Sequence, residues 1–124
     1  MPPTAKLFLF LGSLSSLAAV ALGAFGAHAM KGKLSNEMMS IYQTGVQYHF
    51  YHALGLFIVA FAATHLSSGL VKWSGWLMFS GILVFSGSLY ALSLTSIRIL
   101  GAITPIGGVA FIVAWLLLAV AVWR

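Results

Sequence analysis

The sequence predicts an all-α membrane protein, a compact up-down bundle of four transmembrane helices, and three observations carry that prediction. The 124-residue chain is 61% hydrophobic and only 6% charged, with mean hydropathy +1.06. It lacks the polar side chains needed to cover a water-facing surface. The charges at Lys6, Lys31, Lys72, Arg98 and Arg124 bracket four apolar stretches, each long enough for an α-helix to cross roughly 30 Å of hydrocarbon. None of these stretches shows the strict alternation of a barrel strand. The spans leave no room for an extramembrane domain, so residues 1–124 are expected to form a single four-helix transmembrane domain.

Helix one is expected from about Ala5 to His28. Pro2 and Pro3 precede it, because proline cannot lie inside a helix, and Thr4 is a candidate N-cap. Lys6, the apolar run and Ala27-His28-Ala29 imitate a secretory signal with an A-x-A cleavage site, but the run is too long for a usual signal core, and the helix is read as retained. Gly12, Ser16, Ala19, Gly23 and Gly26 recur at spacings of four and three. Such a face of small residues lets another helix approach closely, since lipid supplies no hydrophobic drive between helices. The loop from Met30 to Asn36 contains Gly32 as a breaker, Lys31 and Lys33 at the headgroups, and Ser35 as the next cap, with Glu37 complementing the helix dipole.

Helix two is expected from about Asn36 to Thr64, some 40 Å at 1.5 Å per residue, so its first turns must lie at or above the interface. Gly45, Tyr48, His52, Gly55, Val59 and Ala62 repeat the four-three seam, which points His52 into the bundle. A polar turn over His65 to Lys72 leads to helix three, Trp73 to about Thr95, in which Ser74, Gly81, Ser88 and Thr95 fall one heptad apart. Ser96 to Ile103 carries Arg98 and Gly101. Thr104 and Pro105 then read as N-cap and first position of helix four, Pro105 to Trp123, which has Gly107, Ala110, Ala114 and Ala121 on its packing face. The alternative is a longer helix starting near Ile99 and kinked at Pro105.

Four spans bring both termini to one edge with Lys6, His65, Lys72, Trp73, Trp76 and Trp123. The other edge receives His28, Lys31, Lys33, the Tyr42 to His52 stretch, Tyr90, Arg98 and Thr104. Three basic side chains fall on each side, so charge bias leaves the orientation open. The candidate functional residues form a polar cluster in that second half: His28, Gln43, Gln47, Tyr48, His49, His52, Ser88, Tyr90 and Thr104. An ionisable side chain inside a span costs about 2.5 to 3.5 kcal/mol on insertion scales. Hence His49 and His52 should face protein, water or a ligand.

Those histidines admit several chemistries. With His28 and the nearby Met30, Met38 and Met39 they suggest a soft ion such as Cu(I), or haem. The spacing matches no defined motif, and Glu37 is the one carboxylate side chain available. With Gln43, Gln47, Tyr48, Tyr90 and the proline at the start of helix four they suggest a proton or solute path, which so short a bundle could build only as an oligomer. Catalysis by a Ser-His or Tyr-His pair lacks an aspartate to orient the histidine. The absence of cysteine excludes disulfides, thiolate metal sites and thiol catalysis. The net charge of +5 is spread over several membrane edges without a basic stripe, which fits headgroup anchoring and excludes nucleic acid as a partner. The packing alternative has His52 bonding Tyr48, Tyr90 or a serine and fastening helix two to helix three.

The segments LGAFGAH (Leu22 to His28), QTGVQYHFYH (Gln43 to His52), FSGSLY (Phe85 to Tyr90) and LGAITPIGG (Leu100 to Gly108) resemble the YgdD and YwdK group of small membrane proteins. This is the family catalogued as domain of unknown function 423, which is similar to the transmembrane protein 256 group. The resemblance implies a bacterial inner-membrane protein of about four helices and supplies no activity, substrate or cofactor. It departs at His49, where the family often carries glutamine, which weighs against a mechanism needing both histidines.

The function expected from the sequence is that of an integral, multi-pass inner-membrane protein of accessory or interaction type, not an enzyme. No cofactor is expected, and the expected partners are membrane lipids with other membrane proteins or further copies of the chain. Small-solute or ion transport by a homo-oligomer is the alternative, with histidine-based metal or haem binding behind it. The bundle also carries three structural expectations. Gly23, Gly26, Gly81 and Ser88 pack against other helices; Pro105 starts helix four; and His52 is buried and bonded while His49, nearer the headgroups, is wetted.

Overall fold

The computed structural model describes residues 1–124 and is all-helical, with four helices long and apolar enough to cross a membrane. They are α1 (Pro3–Met30), α2 (Asn36–His65), α3 (Gly69–Thr95) and a fourth span, Arg98–Trp123, which opens as a 3-10 turn, Arg98–Ala102, and continues as α4 (Thr104–Trp123). The four-helix architecture is therefore as the sequence predicts, and the differences lie in how the helices begin.

In α1, Pro3 occupies the first turn, where its missing N–H is no loss, and Pro2 rather than Thr4 holds the cap position. Gly32 turns the chain after α1 at φ +80, a conformation that L side chains rarely adopt. Ser35 caps α2 as expected, its hydroxyl accepting from the Met38 N–H at 3.1 Å. Helix α3 starts four residues before the expected Trp73, because Ser68 caps it by accepting from the Leu70 N–H at 3.2 Å. At the far end Ser96, in the left-handed region at φ 59, turns the chain, and Gly101 sits inside the 3-10 turn that follows. Pro105 lies in the first turn of α4, as expected. Thr104 does not cap that helix, since its hydroxyl is 2.6 Å from that of Ser88 on α3.

Two π-helical turns, Ala21–Gly26 in α1 and Ile82–Ser86 in α3, are not implied by the spacing of small residues. Each widens the helix locally and rotates the residues beyond it around the helix axis. In α3 this brings both Ser86 and Ser88 to the buried side, while Thr95, the last member of the expected heptad row, faces outward.

Helices α2 and α3 form the middle of the bundle, with α1 packed chiefly on α2 and α4 chiefly on α3. The seams face inward. A β-carbon at Gly12 would lie 3.2 Å from the Ala53 carbonyl oxygen, one at Gly23 would lie 2.9 Å from Val46, and one at Gly26 would collide with the Tyr42 hydroxyl. Gly81 faces the ring of Phe111, Gly75 the ring of Phe8, and Gly107 the backbone of Phe85 in the π turn of α3. Gly81 and Ser88 are buried, whereas Gly23 and Gly26 are half-buried against α2. Phe8, Leu56, Val59, Met78, Phe111 and Ala114 fill the core between these contacts.

Both edges are recognisable. Pro2 and Thr4 adjoin the turn after α2, around His65 and Leu66, and the end of α4 comes to the same place through Leu118 and Val122. At the other edge Arg98 reaches Glu37 in a two-pronged ion pair, with N–O distances of 2.9 and 3.3 Å, which ties the start of α2 to the approach to α4.

Candidate functional site

The polar residues singled out from the sequence separate into bonded pairs, outward-facing groups and one outlier. His52 is buried, at 5% exposure. Its Nδ1 lies 2.8 Å from the Tyr48 carbonyl oxygen one turn earlier in α2, and its Nε2 lies 3.0 Å from the indole Nε1 of Trp115 on α4. A carbonyl only accepts and an indole N–H only donates, so the hydrogen sits on Nδ1 and the Nε2 lone pair receives Trp115. The ring also stacks on Phe111, with centroids 3.5 Å apart. Neither nitrogen keeps a free lone pair for a metal. His52 thus fastens α2 to α4, and not to α3 as the sequence suggested.

His49 corrects a second expectation. It is as buried as His52, at 5% exposure, and is not wetted. Its Nδ1 is 2.8 Å from the Tyr90 hydroxyl on α3, and the ring also meets the backbone of Ser15 on α1. The roughly 60° that separates the two histidines around α2 turns His49 away from α4 and toward the junction of α1 and α3. A central helix has neighbours on several sides, so this rotation exchanges one neighbour for others and does not lead to solvent.

The remaining members are dispersed. His28 faces outward at the end of α1, and no three His, Asp or Glu side chains come together as a metal-binding group. Tyr48 is 39% exposed, its ring 4.8 Å from that of Phe85, so it leaves the inward seam on which its spacing placed it. Gln43 and Gln47 face outward, and the Gln47 amide donates to the Tyr51 hydroxyl at 2.6 Å. Ser88 and Thr104 pair across α3 and α4.

The structure adds fasteners that the sequence did not point to. The Tyr42 hydroxyl donates to the Leu22 carbonyl at 2.6 Å, at the start of the π turn in α1. Such a turn disturbs the regular backbone ladder, which suits that carbonyl to an outside donor. Ser86 donates to the Gly45 carbonyl and Ser74 to the Ala114 carbonyl, each at 2.7 Å. Trp115 could have been suspected, because a tryptophan near the middle of a span needs a partner for its N–H. Ser16 on α1 carries a buried hydroxyl without a hydrogen-bond partner. The network as a whole links all four helices through hydrogen bonds that water-free surroundings make worth keeping.

Comparison with known sequences agrees with this architecture. Residues 22–108 match the model of a family described as protein of unknown function (DUF423). The chain is 60% identical over 117 residues to the UPF0382 membrane protein YwdK of Bacillus subtilis, covering 94% of this chain and 95% of that protein. It is 53% identical over 116 residues to a UPF0382 membrane protein of Staphylococcus epidermidis, with 94% of each chain covered. A third relative, from Staphylococcus haemolyticus, is 51% identical over 119 residues, covering 96% of this chain and 97% of its own. No solved structure matches. With relatives named as membrane proteins and four spans of its own, this is a multi-pass membrane protein. By the extent of both matches, the chain belongs to the DUF423 family of membrane proteins.

Proposed function

We propose that this protein is a non-enzymatic accessory protein of the bacterial inner (cytoplasmic) membrane that docks a partner membrane protein along the outward face of α2. The observation that carries the reading is the outward-facing pair Gln47 and Tyr51. Tyr51 is the sixteenth of the 30 residues of α2 and is 52% exposed, and Gln47 lies one turn nearer the polar edge. Their mutual bond uses one amide hydrogen of Gln47 and one lone pair of Tyr51. The amide oxygen of Gln47 and the phenol hydrogen of Tyr51 remain unpaired at a depth where lipid offers them nothing. Gln43, one turn further toward the edge, extends the polar stripe. By contrast, most polar groups inside the bundle are occupied in holding helices together, and Glu37 is paired with Arg98 at the edge. This distribution supports a role exercised at the surface over one exercised in an internal site.

The exposed pair is also self-complementary, because a phenol donor on one copy matches an amide acceptor on another. That feature favours the second reading, a homo-oligomer for small-solute or ion transport. Native gel electrophoresis of membranes solubilised in mild detergent tests both. The wild-type chain should migrate in a complex with a different protein, and the Gln47→Leu, Tyr51→Phe double variant should migrate alone. A wild-type chain that migrates alone contradicts docking, and a complex containing only this chain replaces the first reading with the second.

A further inference from the structure

On the side of α2 away from Gln47, a cleft of about 300 Å³ opens sideways between α1 and α3. Leu14, Phe79 and other apolar side chains form most of its walls, and Ser15, His49 and Tyr90 are the polar residues that line it. Two features distinguish it from an ordinary lipid-facing furrow. Ser15 is 6% exposed and lines the cleft, and its hydroxyl makes no hydrogen bond to the protein. Gly87 on the cleft wall faces open space, since a β-carbon placed there would meet nothing within 4 Å. The π turn Ile82–Ser86 immediately precedes it, and such turns recur at functional sites.

We propose that this cleft binds a lipid quinone, with the ring between α1 and α3 and the isoprenoid tail left in the bilayer. The chemistry of the site selects the ligand by elimination. No charged side chain lines the cleft, so an ionic headgroup would find no counter-ion; the ligand is uncharged. Ser15 is the thirteenth of the 28 residues of α1, well below the headgroups, so the polar part of the ligand must be soluble near mid-membrane. Tyr90 can donate to His49 Nδ1, which leaves the imidazole hydrogen on Nε2. That N–H is turned to the Ser15 backbone, so the free donor on the floor is the Ser15 hydroxyl, which calls for a carbonyl acceptor. The rings of Phe79 and Tyr90 beside the empty space at Gly87 suit a flat group that stacks. A quinone ring is flat and uncharged, carries carbonyl acceptors and bears a tail that needs the sideways opening. This inference is independent of the docking face on α2.

The test uses the full-length protein in lipid nanodiscs with decylubiquinone as the probe, complexes being counted by native mass spectrometry. The expected result is a one-to-one adduct, weakened roughly three- to tenfold by Ser15→Ala, the loss of one hydrogen bond. Gly87→Leu, which fills the cleft from a position with room for a side chain, should abolish the adduct without lowering the thermal midpoint. Decylbenzene, with the same tail and no carbonyl, should not compete. Absence of an adduct with the wild-type protein overturns the proposal. So does undiminished binding by Ser15→Ala and Gly87→Leu, or competition by decylbenzene as effective as by the quinone itself, which would mark a general furrow for lipid tails.

Discussion

The indole N–H of Trp115 points at Nε2 of His52 from 3.0 Å, joining α2 to α4. The contact fixes the tautomer of the histidine and satisfies both partners at once. Removing the imidazole leaves a half-buried indole N–H without an acceptor, which costs about 1 to 3 kcal/mol. His52→Leu should therefore lower the unfolding midpoint in mixed micelles clearly, and Trp115→Phe should add little to it. The coupling in a double-mutant cycle should fall near 0.6 kcal/mol and not above about 1.7 kcal/mol. Strictly additive losses would show that the two side chains do not interact in the folded protein.

His49→Leu should also destabilise, by an amount comparable to His52→Leu, because His49 is equally buried and bonds Tyr90 on the neighbouring helix. Tyr90→Phe should remove most of the same contribution. The same equilibrium unfolding experiment decides this, and an unchanged midpoint for His49→Leu would mean that the imidazole is solvated by water reaching the cleft.

The glycines should divide by their surroundings. Gly107→Ala forces a methyl group into the backbone of Phe85, which cannot move without opening the α3–α4 contact, and overpacking of this kind costs about 1 to 3 kcal/mol. Gly87→Ala meets nothing and exchanges a poor helix former for the best one, a gain of up to about 1 kcal/mol. A thermal melt of each variant should show opposite shifts. Shifts of the same sign would contradict the close approach of α4 to the π turn.

Glu37 and Arg98 form the ion pair that closes the polar edge, but their side chains are 59% and 70% exposed. Surface pairs of that kind are screened by salt and contribute little. Glu37→Gln should leave the midpoint nearly unchanged at physiological ionic strength. A large loss would mean that the pair is shielded from solvent in the membrane.

Much of this architecture is written in local signals. The charges bracket the spans, Ser35 and Pro105 mark helix starts, and the spacing of Gly12, Gly45, Gly81 and Gly107 gives the inward faces, because each of these depends only on residues within a turn or two. The partners of the histidines are not legible in this way. Periodicity places His52 on an inward face, but which helix meets that face depends on the order of helices around α2, to which short loops give no local clue. The same gap hides the burial of His49 and the outward turn of Tyr48, since a central helix buries residues on several sides. The π turns are invisible because ordinary residues such as Ile82, Leu83 and Val84 build them. Gln47 and Tyr51 are legible as polar residues in a span, yet their outward direction becomes readable only once α1, α3 and α4 are placed.

The docking face is tested most directly by a photoreactive benzoylphenylalanine placed at residue 47, with residue 109 of α4, where Val109 also faces outward, as the comparison. Irradiation of native membranes should give one discrete adduct with another membrane protein from residue 47 and only lipid adducts from residue 109. Lipid adducts alone at both positions, or a protein adduct equally strong at both, would contradict a partner site on α2.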